Sequence, residues 1–231
     1  MLIFMIYTVA TGNQHVSSMN QPKQRILRDG SSVREQLCAL GLTPEIVGDV
    51  ARMLAGAKAE ALEVDPANSA GQRAYMMGVR AKRLMLLPLG WRLSRAGGVE
   101  ATVNDSLAIQ ICYQSVDMAC TEQQPKAISG KGAGSRKLIQ NGQGELFERD
   151  GPLSPMPQGA TPKVWVICVS TDLKKLRAEV SCPDAFEGDQ FEGFSTRIFV
   201  VDEDLSSPRN GDTKPEDGGD AGDFEVRIAK K

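Results

Sequence analysis

Thirteen residues in the middle of the chain, Pro125 to Lys137 (PKAISGKGAGSRK), carry the side chains best suited to chemistry. Four are cationic (Lys126, Lys131, Arg136, Lys137), three are glycines (Gly130, Gly132, Gly134) and none is acidic. Glycines let backbone N–H groups converge on one anion, and lysines beside such a nest add long-range attraction. The stretch is not a Walker A loop, because Gly134 is followed by Ser135 and Arg136. Nor does the glycine spacing fit a dinucleotide fingerprint. What remains is a basic loop ahead of a helix N-terminus, able to hold a backbone phosphate. The competing reading is a surface loop whose glycines only permit the turn.

Other candidates are thinner. Arg73 and Arg80 lie seven apart on a predicted helix and share a face, with Arg83 about a quarter-turn round; together they can line a phosphate track or pair with acids elsewhere. Trp91, Tyr113 and Trp165 can stack on bases, although each sits in a strand pattern that suits a core. Asp172 and Glu179 flank a predicted turn beside Lys174, Lys175 and Arg177. They make an acid/base pair or simply a solvated hairpin. The single histidine, His15, leaves no local zinc set and no good Ser–His or Cys–His pair. Five cysteines without a CxxC pair read as thiols in a reducing cytoplasm.

The elements that position these residues follow from pattern. Met1–Ala10 is apolar but too short to span a bilayer and lacks a cationic n-region; Met19 offers a more ordinary start. Residues 1–30 are expected to be a disordered leader. A short helix capped by Ser31 or Ser32 stops at Gly41. Thr43-Pro44-Glu45 opens a second helix, to about Leu62. A third spans Ser69–Leu87, with Ala70, Ala74, Met77, Ala81 and Leu84 as its packing stripe. Strands follow at Trp91–Arg95, Val99–Val103 and Leu107–Tyr113, alternating as an antiparallel meander requires. A helix from Ser135 toward Phe147 comes next, then a linker over Asp150–Pro162. Val164–Ser170 is apolar on both faces and reads as a central strand, paired with Leu176–Val180; Phe194–Val201 is a further strand. Residues 203–231 are expected to form an acidic, glycine-rich tail, with a terminal strand at Phe224–Ala229.

The order helix, three antiparallel strands, helix, strand over about Ser69–Val180 resembles the core of the PD-(D/E)xK nucleases. In that family an acid near the end of the second strand and a (D/E)xK on the third bind a metal and activate water. The resemblance implies Glu100 and Asp105 as catalytic carboxylates with Mg²⁺. The third strand departs from it, carrying Gln110-Ile111-Cys112 where the acid and lysine belong.

Charge segregation points toward a polyanion. From Ala67 to Lys137 ten bases face four acids, a net of +6, while Asp184 to Glu225 holds thirteen acids against three bases. These observations imply one α+β domain over residues 31–202: a helical N-terminal segment packed on a mainly antiparallel sheet with one crossing helix. The expected function is non-catalytic binding of DNA or RNA through Arg73, Arg80, Arg83, Lys126, Lys131, Arg136 and Lys137, with the acidic tail competing. That reading needs no cofactor, no metal and no membrane. The alternatives are a divergent or degenerate nuclease dependent on Mg²⁺, and an interaction subunit that docks a protein through its acidic tail or the Phe224–Ala229 strand.

Overall fold

A computed structural model describes residues 24–130, 132–143, 162–172 and 174–205. The leader to residue 23, Lys131, most of the Asp150–Pro162 linker and the terminal Phe224–Ala229 segment lie outside them.

The described residues build four helices and a seven-stranded mixed sheet, an α+β arrangement. Ordered structure starts before Ser31, inside the stretch read as a leader. Strand β1 (Arg25–Leu27) runs parallel to the last strand, pairing Ile26 with Arg197. Helix α1 (Gly30–Ala39) takes its cap from Asp29, not from a serine. The Asp29 carboxylate accepts from the Ser32 N–H at 2.9 Å, and these bonds hold it well below the usual carboxylate range. Helix α2 (Pro44–Ala59) begins as its residues dictate: Thr43 Oγ1 accepts from the Ile46 N–H, and Pro44 has no N–H to satisfy. Helix α3 (Ser69–Leu86) follows.

Strands β2 (Arg92–Ser94), β3 (Ala101–Asn104) and β4 (Ile109–Ser115) form an antiparallel meander. Helix α4 (Ala133–Gln143) then crosses to β5 (Lys163–Thr171), which runs parallel to β4. Strands β6 (Lys175–Glu187) and β7 (Gln190–Asp204) complete the sheet, in the order β1-β7-β6-β5-β4-β3-β2. They are far longer than the apolar patterns at Leu176–Val180 and Phe194–Val201, because paired ladders extend them through polar residues. Seven of the thirteen C-terminal acids lie on these two strands or their turn. Asp202 pairs with Arg177 and Glu203 with Arg52; of the stretch read as a tail, Glu203 and Asp204 belong to β7.

Both faces of the central strands are covered. Ile109, Ile111, Tyr113, Trp165, Ile167 and Val169 pack with α1, α2 and α3. Val164, Val166 and Cys168 pack with Ile139 of α4 and with Val116 and Ala119. This is why VWVICVS is apolar throughout. Within α3, Ala74 and Ala81 are buried as expected, but Leu84 is 57 % exposed and Lys82 is fully buried instead. Gly78 seats this helix: a Cβ there would lie 2.7 Å from the Tyr113 ring.

Candidate functional site

The chain leaves β4 and β5 on the same side of the sheet, because the two strands are parallel. Their C-terminal ends, Gln114-Ser115 and Val169 to Thr171, border an open groove of about 950 Å³. Parallel strands with a crossover leave such crevices beyond their carboxyl ends. Leu54 and Lys58 of α2, the first turns of α3 from Asn68 to Met76, and the loop residues Ile128, Ser129, Gly130 and Gly132 with Ser135 form the rest of its lining.

Two helices begin at this groove. Asn68 flanks α3 without giving it a side-chain cap, and neither α3 nor α4 carries an acid in its first turn. Each helix therefore presents the positive end of its dipole without an acid inside its first turn, although the Asp65 carboxylate ahead of α3 accepts from the Ser69 hydroxyl at 3.3 Å. Among the described lining residues Lys58 is the one charged side chain, and none is an acid. The Lys58 ammonium donates to the Thr171 carbonyl at 2.6 Å. That bond ties the end of α2 to the end of β5 and leaves two of its three N–H groups for other acceptors.

The glycine loop is held from outside. Gln190, at the start of β7, brackets Ala127: its Oε1 accepts from the Ala127 N–H at 2.9 Å and its Nε2 donates to the Ala127 carbonyl. Arg136 Nη1 donates to the Gly188 carbonyl at 2.7 Å. Asp189, on the same hairpin turn, stands so close to Gly130 that a Cβ there would meet its carboxylate at 2.1 Å. Close packing is also the reason for Gly134, whose Cβ would fall 1.8 Å from the Gly97 carbonyl oxygen.

Of the seven cations singled out in the sequence, Lys131 lies outside the described residues and the other six are absent from the groove's lining. Arg73 neighbours Gln72 and Ala74 in sequence but turns to Asp65 at 3.4 Å. Arg80 is exposed one turn beyond Met76 and makes no ion pair with the described residues. Arg83 is drawn to Glu100, half-buried. Lys126 and Lys137 are exposed, and Arg136 serves the β6–β7 turn. The structure thus brings the loop and α3 to one cleft but commits Arg73, Arg83 and Arg136 to partners. Sequence reasoning missed Lys58, Gln114, Ser115 and Thr171. No spacing signals them; the parallel β4–β5 register gathers them.

The remaining candidates are dispersed. Trp91, Tyr113 and Trp165 are each 4 % exposed and belong to the core. Asp172 caps its own turn, accepting from the Lys174 and Lys175 N–H groups, while Glu179 is buried against Arg197. The chain keeps the helix, meander, helix, strand order of the nuclease core. However, Glu100 and Asp105 flank β3 at opposite ends, about 16 Å apart along an extended strand. Glu100 pairs with Arg83 and Arg95, and Asp105 is gripped by two nitrogens of Arg92. These pairings hold both carboxyls below their ordinary range. The two residues do not fit a shared Mg²⁺, and among the described residues no group of three His, Cys, Asp or Glu side chains could hold a metal. All five cysteines are free thiols. No described helix is long and apolar enough to cross a membrane. No family model, no curated protein and no solved structure matches the chain.

Proposed function

We propose that this protein is a non-catalytic nucleic-acid-binding protein whose phosphate site is the groove at the ends of β4 and β5. The observation that carries the reading is the convergence of two uncapped or acid-free helix starts, the glycine loop and Lys58 on one crevice whose described lining holds no carboxylate. A phosphate entering it meets backbone N–H donors, the Ser129 and Ser135 hydroxyls and a cation. Arg80, Lys126 and Lys137 remain exposed around it to attract the rest of a polyanion. The free thiols support a reducing, cytoplasmic setting.

The test is anisotropy of labelled DNA and RNA, titrated with the full chain at 50 and 200 mM salt, with and without Mg²⁺. Binding should weaken steeply with salt as counterions are displaced. Lys58→Glu should lower affinity more than Lys174→Glu, a charge change of the same size on the exposed β5–β6 turn. No binding at 50 mM salt rejects the proposal, and cleavage with Mg²⁺ rejects its non-catalytic part. A protein partner is the second reading, favoured by the exposed Leu84, Leu87, Leu89 and Leu93 around the end of α3. Recovery of a stoichiometric protein without nucleic acid would select it.

A further inference from the structure

The groove is not polar throughout. Tyr75, Met76 and Ile128 all line it, and they are 45, 62 and 64 % exposed. Tyr75 and Met76 stand next to each other on α3, and Ile128 belongs to the segment that leads into the glycine loop. Large apolar side chains left open inside a donor-rich crevice, with no acid among its described lining residues, fit a ligand with both a flat apolar face and a phosphate. A duplex does not supply this, since its base faces are stacked on one another and only edges and backbone are presented. An unpaired strand supplies both at every nucleotide.

We propose that the groove binds single-stranded nucleic acid, with unpaired bases stacked against Tyr75, Met76 and Ile128 and phosphates held at Lys58 and the glycine loop. The inference rests on the nucleic-acid reading of the same groove and narrows it to one strand form. Tyr75 is the central stacking residue. Its ring leans on the Tyr113 ring, with centroids 6.3 Å apart and planes at 41°. Tyr113 is itself buried, and its phenol shares a 2.6 Å hydrogen bond with the Ser115 hydroxyl. The stacking face is thus held by the core before a base arrives, so little side-chain entropy is lost on binding. Met76 and Ile128 add apolar surface without sequence preference.

The experiment compares three fluorescein-labelled probes with equal numbers of phosphates: an oligothymidine strand, the same strand with abasic sugars, and a hairpin duplex. Each is titrated with the full chain at 50 mM salt. The oligothymidine should bind roughly tenfold or more tighter than the other two, as one or two stacked bases provide. Tyr75→Ala should bring it close to the abasic level while leaving the salt slope unchanged. Ile128→Ala, at a side chain with little packing to lose, should shift affinity in the same direction by a smaller factor, and it remains informative if Tyr75→Ala fails to fold. Equal affinity for all three probes, or a duplex preference, overturns the single-strand inference and leaves nucleic-acid binding standing. Failure of every probe to bind overturns both.

Discussion

Two polar clusters in this molecule have opposite constructions. One is the ion pair of Glu179 on β6 and Arg197 on β7, both with 0 % exposure. Glu179 Oε1 accepts from Arg197 Nε at 2.8 Å and from the Ser181 hydroxyl at 2.7 Å. Its Oε2 accepts from Arg197 Nη2 and from the Cys120 N–H, both at 2.6 Å. Arg197 Nη1 donates to the carbonyls of Thr121 and Gln123, and the guanidinium lies over the Phe199 ring. The other cluster is the groove, where Lys58, the one charged side chain among the described lining residues, keeps N–H groups to spare and no described lining residue is an acid. Saturated polar groups hold a structure together; unsaturated ones in a crevice stay open to other acceptors. The first cluster also serves the second. Together with the 3.0 Å bond from the Ala119 N–H to the Ser170 hydroxyl, it pins residues 119–123, from which the chain runs on to the glycine loop.

The comparison predicts its largest effect at the buried pair. Glu179→Gln leaves the Arg197 charge buried without a counter-ion and should cost about 3–5 kcal/mol in urea unfolding. Cys120, held in the left-handed region at φ 55° by its bond to Glu179, should lose that conformation too. The double variant Glu179→Met/Arg197→Leu should recover part of the loss, because an unpaired charge costs more than an apolar pair. A double variant no more stable than Glu179→Gln would mean that the cluster matters for its backbone contacts rather than for its charge balance.

Lys82 sharpens the contrast, being a buried charge bonded to carbonyls and to no acid. It is fully buried and donates to the Glu100 carbonyl at 2.9 Å and the Ile111 carbonyl at 2.7 Å. Burial, with some help from Arg83, pushes its ammonium down to about 8, while Cys112 and Glu100 act in the other direction. In the unfolded chain a lysine titrates near 10.4. Between these values the unfolded state binds more protons, so the native state gains stability as pH rises from 8 to above 10 and loses it again as pH falls. The gain due to Lys82 is roughly 3 kcal/mol across that window. Unfolding free energies from urea titrations of the native chain and Lys82→Met should shift relative to each other, in the native chain's favour, by about that amount as pH rises from about 7 to 10. Parallel pH curves would show that the amine is not the group titrating.

Much of the fold could be read in advance where local chemistry decides it. Thr43-Pro44 set a helix start, Gly41 ended one, and VWVICVS declared a strand buried on both faces. Less could be read where distant residues decide. The partnership of β1 with β7 rests on three residues with no pattern of their own, and the long β6–β7 ladder extends through polar residues that only pairing makes strand. Lys82 and Leu84 exchanged places because a lysine can be buried once two carbonyls meet its ammonium. The glycine loop was identified from composition, yet the groove's floor depends on the parallel register of β4 and β5, which joins residues about fifty apart. The basic residues were visible as charges, but not the acids that occupy Arg73 and Arg83.

Arg80 provides the smallest stability effect and the cleanest separation of the two constructions. It is exposed on α3, one turn from Met76, and makes no ion pair with the described residues. Arg80→Ala should leave unfolding stability within about 0.5 kcal/mol of the native chain, since a surface helix position accepts alanine readily. If the arginine neutralises a phosphate, the slope of log affinity against log salt for a labelled strand should fall by about 0.7 to 1. Arg83→Ala should do the reverse, losing stability through its half-buried bond to Glu100 while barely changing the salt slope. Were Arg83 to set the slope and Arg80 not, the phosphate track would run along the β3 edge of α3 and away from the groove.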